Sequence, residues 1–238
     1  MTQLVFLHGP GAGACSKAFR YQLEYFRGSL APDLPGHPSG TVCSSAARYA
    51  EWVRGWLWAQ GYTRDLVLSG YTMGANIALQ YALDYPEEVK GLVLSTVALR
   101  PKGFKPEVFS SRLAAQEDPV EFEKWIESMW DLMQHIDPPA YREELLALHR
   151  AIGPRTQHDD LKVTEMFDVR DRIATLKPKL LLVQGAERTH GIGDWEGEIH
   201  RAVPASQLVS FPGTGHFPMI EQPAAFNRAV DEFLETLK

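Results

Sequence analysis

Gly70-Tyr71-Thr72-Met73-Gly74 is the stretch of sequence from which the expected fold follows. The apolar residues 65–69 before it have the length of a strand, and residues 75–83 after it have helical spacing and good helix formers. Glycines two residues before and after a hydroxyl residue let a strand and a helix approach closely around a sharp bend, which exposes the hydroxyl at the helix N-terminus. The pattern therefore predicts a strand, a tight turn and a helix that present Thr72 for chemistry. The alternative is that the Thr72 hydroxyl only caps the helix.

Strand-like and helical runs alternate along most of the chain. The predicted strands are residues 4–7, 29–31, 66–69, 91–96, 180–184 and 207–211. The predicted helices include residues 17–26, 46–60, 76–85, 195–203 and 224–237. This alternation predicts an α/β fold with a mostly parallel, doubly wound sheet covered on both faces. In such sheets the loops at the carboxyl ends of the strands form the ligand crevice.

The alternation stops between residues 100 and 177, where helical segments separated by prolines replace the strand pattern. We therefore expect residues 1–99 and 178–238 to form one core. Residues 100–177 are expected to form a helical cap that is inserted between core strands and folds over the crevice. The cap carries apolar side chains at helical spacing, which we interpret as packing against the core, although some of them could roof an apolar pocket.

The composition favours a small-molecule substrate. The net charge of the 238 residues is −6, and an acidic surface attracts neither nucleic acid nor an anionic membrane. We therefore expect a small-molecule substrate, with no nucleic-acid or membrane partner. The apolar residues of the cap and Arg188 favour a substrate that is apolar or carries a carboxylate. Cys15 and Cys43 have no metal-ligand spacing, and we expect neither a metal nor a cofactor. Because no segment has the pattern of a signal peptide or a membrane span, a cytoplasmic protein is expected.

Several short segments, taken together in their order and spacing, resemble one known family. They are Phe6-Leu7-His8-Gly9, Ala31-Pro32-Asp33-Leu34-Pro35-Gly36-His37, the stretch around Thr72, Phe167-Asp168-Val169, Gly213-Thr214-Gly215-His216-Phe217 and Glu221-Gln222-Pro223. Over nearly its whole length the chain resembles the α/β-hydrolase fold superfamily. The resemblance implies that fold, with its customary first two strands expected to be absent because the chain opens at what would be the third.

The resemblance implies a catalytic role for Thr72 and His216. In the family a serine in a G-x-S-x-G turn attacks a carbonyl, and a late histidine takes its proton. His216 follows the last predicted strand in a glycine-rich loop and fits the role of the base. Thr72 departs from the pattern, because a β-branched side chain is stiff at χ1 and crowds a strained turn. Its hydroxyl can still be activated by an adjacent base, but we expect it to react more slowly than serine.

The carboxylate that orients the histidine in the family is not at its usual place. It ordinarily comes three residues after the glycine that ends the penultimate strand, and counting from Gly185 reaches Arg188. Glu187 is one position short and could serve if the loop is shifted; the alternative is that there is no acid. Arg188 could bind a substrate carboxylate, because its planar fork matches that geometry, or it could point away into solvent.

The oxyanion hole of the family is built from two backbone N–H groups, and one of them is altered here. Met73, the residue after the hydroxyl, supplies the first. Pro10 occupies the position of the second, and proline has no N–H to donate. Gly11 could substitute, because His8-Gly9-Pro10-Gly11-Ala12-Gly13-Ala14-Cys15-Ser16 resembles the glycine-proline-rich loop of the proline iminopeptidase branch with its register moved by one.

Three interpretations of function follow from these residues. The first is a hydrolase of small carboxylic esters or related acyl compounds, with Thr72 as nucleophile, His216 as base and Glu187 as the orienting acid. The second is a non-hydrolytic member of the fold, such as a lyase, a decarboxylase or a cofactor-free oxygenase, in which His216 acts as acid or base. The third is a ligand-binding protein without catalytic activity.

Overall fold

The computed structural model of the protein describes residues 2–187 and 193–238. Within these residues five parallel strands form one sheet in the order β1-β2-β3-β4-β5. The strands are β1 (Gln3–Leu7), β2 (Leu66–Tyr71), β3 (Val89–Ser95), β4 (Lys179–Gly185) and β5 (Gln207–Phe211). The α/β class and the parallel sheet expected from the sequence are confirmed.

The segment expected to form a strand at residues 29–31 contributes only one residue to the sheet. Leu30 makes an isolated parallel bridge to Val5, donating its N–H to Leu4 and accepting a hydrogen bond from Phe6. Pro32 follows closely, and a proline has no N–H with which to continue the ladder. The predicted strand is therefore wrong in length, although its position beside β1 is right.

The helices lie on both sides of the sheet. They are α1 (Arg20–Tyr25), α2 (Ala46–Ala59), α3 (Met73–Asp84), α4 (Pro106–Glu117), α5 (Pro119–Leu132), α6 (Pro139–Ile152), α7 (Pro154–Glu165), α8 (Trp195–Ala202), α9 (Pro218–Glu221) and α10 (Pro223–Glu235). The predicted helix 17–26 is divided into a 3-10 turn, Ser16–Phe19, and α1. None of the helices in the described residues is long and apolar enough to cross a lipid bilayer.

Two apolar layers enclose the sheet. Successive residues of β1 alternate between them: Val5 and Leu7 pack with α2 and α3, whereas Leu4 and Phe6 pack with α10. All four side chains are buried, as expected for a parallel strand that is covered on both faces. The sheet is thus covered on both faces, and the edge strand β5 is the most exposed of the five.

Four helices, α4 to α7, fill the chain between β3 and β4 and are called the inserted helices below. Each of them begins with a proline, at Pro106, Pro119, Pro139 and Pro154. Proline is well tolerated in the first turn of a helix, where its missing N–H would have no intrahelical acceptor. The prolines that interrupt the pattern in the sequence therefore mark the helix starts.

A buried charged pair fastens the inserted helices to the loop that follows Leu30. The Asp160 carboxylate on α7 is fully buried; it lies 2.8 Å from His37 Nε2 and accepts a hydrogen bond from the Tyr49 hydroxyl at 3.2 Å. Burial alone would lower the pKa of His37, but the hydrogen bond and charge of Asp160 outweigh it and raise that pKa. Removing one partner would leave an uncompensated buried charge.

Replacing Asp160 by alanine is expected to lower the free energy of unfolding by about 3–5 kcal/mol, because buried His37 loses its counter-charge. Glu51→Ala is the matched control, since its carboxylate pairs with Arg48 at the surface, and it is expected to cost less than about 1 kcal/mol. Urea unfolding of both variants measures the difference.

The loss caused by Asp160→Ala should also depend on pH. The pKa of His37 is raised in the folded protein, so its contribution is complete below the unfolded pKa of about 6.5 and is lost as the pH rises through the folded pKa. The difference in the free energy of unfolding between wild type and Asp160→Ala should therefore be smaller near pH 9 than near pH 6. A gap that widens with pH would contradict this account of the pair.

Candidate active site

Thr72 is the single residue between β2 and α3. Its backbone has φ 52° and ψ −117°, a conformation that is strained for a β-branched residue. Two backbone hydrogen bonds hold it: the Thr72 N–H donates to the Ser95 carbonyl (3.0 Å), and the Thr72 carbonyl accepts from Asn76 (3.1 Å). The strand, the tight turn and the helix predicted around Thr72 are present.

The two glycines that flank the turn are required by close backbone contacts. A Cβ atom on Gly70 would lie 2.4 Å from the carbonyl carbon of Gly74, and a Cβ on Gly74 would lie 2.0 Å from the Leu7 carbonyl oxygen. Real Cβ atoms do not approach backbone this closely, so larger residues would push α3 away from β1. The spacing of the glycines thus reports the packing of α3 against two strands.

A cavity of about 640 Å³ lies at the carboxyl ends of the strands, between the sheet and the inserted helices. Thr72 and His216 both line it, together with Pro10 and Gly11 from the loop after β1 and with side chains of α4, α5 and α7. Among the described residues no group of three His, Cys, Asp or Glu side chains is placed to hold a metal ion. The cavity therefore brings together residues that the sequence analysis named as nucleophile and base.

The Thr72 hydroxyl makes no hydrogen bond to another described residue. Its oxygen is buried and has no hydrogen-bond partner in the part of the chain that the structure describes, and it does not cap α3. The alternative that Thr72 only caps the helix is therefore wrong. The hydroxyl is also not hydrogen-bonded to His216 in this structure; in such sites this bond often forms only when substrate is present.

The loop that carries His216 is held by neighbouring side chains. The Glu221 carboxylate accepts hydrogen bonds from the N–H groups of Gly215 and Phe217, and burial raises its pKa. The His216 carbonyl accepts a hydrogen bond from Thr96 Oγ1 at 3.3 Å. The imidazole ring packs edge-on against Phe217, with 4.7 Å between ring centroids. These contacts fix the position of His216 at the cavity wall.

Two backbone N–H groups without an acceptor among the described residues belong to the residue after Thr72 and to a residue of the cavity wall. Met73 is the first residue of α3, and Gly11 lies at the cavity wall; neither N–H donates to an acceptor in residues 2–187 and 193–238. The Gly11 carbonyl is held by the Tyr71 hydroxyl at 2.6 Å. Pro10 contributes no donor to an oxyanion hole, and its carbonyl instead accepts a hydrogen bond from Gln157 Nε2 (3.1 Å).

The structure does not bring Glu187 to His216. Glu187 is exposed and its carboxylate accepts a hydrogen bond from the Gly213 N–H at 3.1 Å; between these two described residues, Glu187 and His216, there is no hydrogen bond. At the turn after β4 the Glu187 N–H donates to the Thr214 carbonyl (3.0 Å), and a Cβ on Gly185 would lie 2.0 Å from the Gly215 carbonyl oxygen; these contacts hold the turn against residues 213–215. Arg188, the predicted substrate-binding residue, lies outside the described residues.

A buried acid that sequence reasoning missed lies near the site. Glu196, in the first turn of α8, has no solvent exposure, and its carboxylate accepts a hydrogen bond from the Thr96 N–H at 2.6 Å. Thr96 is also the residue that holds the His216 carbonyl. Glu196 therefore supports the backbone beside the base. Nothing in the local sequence around Glu196 distinguishes it from a surface glutamate of a helix N-terminus.

Comparison with known proteins shows the family of the chain. Residues 4–229 match the alpha/beta hydrolase family. The chain belongs to this family. A pimeloyl-(acyl-carrier protein) methyl ester esterase from Yersinia enterocolitica is 27% identical and aligns over 98% of this chain and 93% of its own. A 2-hydroxy-6-oxo-6-phenylhexa-2,4-dienoate hydrolase from Burkholderia cepacia is also 27% identical, over 97% of this chain and 87% of its own.

Solved structures of other proteins share the fold. A thermophilic esterase from Thermogutta terrifontis superposes with a TM-score of 0.83 at 23% identity, covering 100% of this chain and 90% of that one. An enol-lactonase from Burkholderia xenovorans gives a TM-score of 0.83 at 16% identity, over 98% and 91% of the two chains. At these identities the similarity concerns the α/β-hydrolase fold alone.

Replacing Gly74 by alanine is expected to destabilise the protein by about 2 kcal/mol or more, because the new methyl group meets the Leu7 carbonyl. Gly55→Ala is the matched control: Gly55 is an exposed helical glycine with nothing within 4 Å of its Cβ position, and alanine there should stabilise by about 1 kcal/mol or less. Chemical unfolding of both variants tests whether the free energy of unfolding falls in Gly74→Ala and rises in Gly55→Ala. Two changes of the same sign would contradict the close approach of α3 to β1.

Proposed function

We propose that this protein hydrolyses small carboxylic esters or related acyl compounds, with Thr72 as the nucleophile and His216 as the general base. One observation carries the proposal. Thr72, whose hydroxyl has no hydrogen-bond partner in the described residues, lines the same cavity as His216. A nucleophile and a base beside a cavity of this size are what acyl transfer requires.

The proposed reaction uses the groups at the turn in sequence. The Thr72 oxygen attacks the substrate carbonyl carbon while His216 takes the hydroxyl proton, and the resulting oxyanion accepts hydrogen bonds from the N–H groups of Met73 and Gly11. The C–O bond to the leaving alcohol breaks as His216 returns the proton to that oxygen. Water, deprotonated by His216, then attacks the acyl carbon. The bond from that carbon to Thr72 Oγ1 breaks, His216 returns the proton to Oγ1, and the acid is released.

Gly11 takes the place that Pro10 cannot fill. A missing oxyanion donor costs about 3 kcal/mol of transition-state stabilisation where it has been measured. The loop after β1 passes through positive φ at Ala12 (50°), Gly13 (84°) and Ala14 (44°), and Tyr71 holds the carbonyl of Gly11. This fixed loop supports Gly11 as the second donor.

The orientation of His216 is proposed to come from its loop. Glu221 and Thr96 hold the backbone on either side of the imidazole, and Glu187 braces the loop at Gly213 instead of contacting the ring. Replacing the acid of a serine-protease triad lowers kcat by about 10⁴-fold. We therefore propose a slow hydrolase, in which a threonine nucleophile and a base without the expected glutamate limit the rate.

The relatives support an acyl substrate. Two relatives that are 27% identical to this chain are named as a methyl ester esterase and a dienoate hydrolase, and both names describe hydrolysis of an acyl compound. We further propose that residues 100–177 act as a cap, because α4, α5 and α7 supply much of the cavity wall. The cap would then determine which substrate fits.

A second candidate is a non-hydrolytic reaction in which His216 acts as acid or base and Thr72 only hydrogen-bonds the substrate. The observation that favours it is the absence of a hydrogen bond between the described residues Thr72 and His216. A hydroxyl that is not activated in the resting protein can still orient a ligand. The two candidates differ in whether a covalent intermediate forms on Thr72.

The two candidate functions are distinguished by treating wild type and variants with a fluorophosphonate probe and a panel of activated esters. Thr72→Ser should be labelled at least about tenfold faster than wild type, because it removes the methyl group that crowds the turn. Thr72→Ala should lose labelling, and His216→Ala should slow it by about 10³-fold or more. Ser128→Ala is the matched control: its hydroxyl lines the same cavity but is bonded to the Trp125 carbonyl, so labelling should not change.

Two outcomes would contradict the hydrolase. The first is a wild type that resists the probe and all esters while Thr72→Ser reacts. The second is turnover of a substrate that survives Thr72→Ala but is lost in His216→Ala, which is the result expected of the second candidate.

A further inference from the structure

The walls of the cavity are positively charged, although the protein as a whole has a net charge of −6. Of the described residues that line the cavity, Lys102, Lys105 and Arg112 are cationic and none is acidic. A cleft that is lined by one sign of charge attracts ligands of the other sign.

Arg112, on α4, is only partly satisfied by the protein. Its Nε donates to Gln157 Oε1 (3.1 Å), and its Nη1 donates to the Val108 carbonyl and to Ser111 Oγ (both 3.0 Å). The Nη2 group makes no hydrogen bond to any described residue, although a guanidinium carries five N–H donors. Neutral groups thus hold one side of the guanidinium and leave the other side open.

No carboxylate in the described part of the chain compensates the charge of Arg112. Burial lowers its pKa, and no acidic group counteracts that effect, yet an arginine stays protonated in proteins. Other arginines of this protein do have acidic partners, such as Arg54 with Glu88 and Arg150 with Glu123. A poorly solvated cation without a counter-charge is costly unless a ligand supplies one.

One side-chain amide connects Arg112 to the site of chemistry. Gln157, on α7, accepts from Arg112 Nε and from Trp125 Nε1 (2.5 Å), and it donates to the Pro10 carbonyl at 3.1 Å. Pro10 directly precedes Gly11, the proposed oxyanion donor. Because both sides of the Gln157 amide are bonded, the guanidinium is held in place before any ligand binds, which reduces the entropic cost of binding.

We infer that Arg112 binds a carboxylate of the substrate, so that the protein acts on acyl compounds that carry a carboxylate several bonds away from the scissile carbonyl. This inference rests on the proposed function and narrows its substrate class. The two N–H groups of Nη2, which have no partner among the described residues, can donate hydrogen bonds to such a carboxylate, since guanidinium and carboxylate match in geometry and charge. Apolar residues of the same wall, Met129, Leu132 and Leu161, would contact the carbon chain between the two ends.

The test compares two esters that differ only at the far end. Mono-4-nitrophenyl glutarate carries a free carboxylate, and methyl 4-nitrophenyl glutarate has that carboxylate masked; nitrophenol release is measured for both. For wild type, kcat/KM should be about 10- to 100-fold higher for the free carboxylate, the range expected for a charged hydrogen bond. Arg112→Gln should abolish this ratio, with the larger loss in kcat/KM for the ester that carries the free carboxylate.

Arg155→Gln is the matched control, because it removes one charge from an exposed arginine that pairs with Asp159, and it should keep the wild-type ratio. Arg112→Lys, which retains the charge without the planar fork, should give an intermediate ratio. If Arg112→Gln does not fold, the wild-type ratio and Arg112→Lys decide. Equal rates for the two esters in wild type, or an unchanged ratio in Arg112→Gln or Arg112→Lys, would overturn the inference.

A binding measurement separates this inference from the proposed function. Calorimetric titration of Thr72→Ala with monomethyl glutarate and with dimethyl glutarate needs no turnover. Tighter binding of the half-ester, lost in the double variant Thr72→Ala/Arg112→Gln, would support the carboxylate site even if no ester is hydrolysed. Hydrolysis of esters without any preference for the half-ester in rate or binding would leave the proposed function standing and remove the carboxylate site.

Discussion

The contact between the start of α3 and the end of β1 is the constraint on which the rest of the site depends. Only glycine at position 74 allows α3 to lie against the Leu7 carbonyl, and only glycine at position 70 allows the helix to turn back directly from β2. With both ends fixed, the one residue between them adopts φ 52°. The strain at Thr72 is held by this packing, because nothing in a threonine favours that conformation.

The consequences of this turn extend across the cavity. It places Thr72 at the cavity wall, and it leaves the Met73 N–H without an intrahelical acceptor at the positive end of the helix. It also sets Tyr71, whose hydroxyl holds the loop that carries Gly11. The inserted helices close the cavity from the other side, and the buried pair of Asp160 and His37 anchors them. The proposed chemistry therefore depends on two contacts, the packing of α3 against β1 on one side of the cavity and the pair of Asp160 and His37 on the other.

The parts of this site that follow a local pattern could be predicted from the sequence. The glycine spacing predicted the turn at Thr72, and the lack of an N–H in Pro10 followed from its chemistry alone. The position of His216 after the last strand was predicted from its glycine-rich loop. For the same reason the sheet was predicted well, apart from residues 29–31, where Pro32 limits pairing to Leu30.

The parts that depend on tertiary packing could not be predicted. Glu187 differs from the expected acid by one position, and the turn after β4 directs it to Gly213, a choice that depends on how Gly185 packs. Arg112 and Gln157 are 45 residues apart and meet only because α4 and α7 pack together. The sequence gives no sign that either residue lines a cavity, because a long polar side chain on a helix is usually exposed to solvent.

The central claim is that Thr72 forms a covalent bond with the acyl group. Rapid-quench mass spectrometry of wild-type protein during turnover of an activated ester tests it most directly. The account predicts an acyl adduct that fragmentation places on Thr72, that decays at the steady-state rate of turnover, and that is lost in Thr72→Ala. Turnover without an adduct on Thr72, or with the acyl group on another residue, would contradict it.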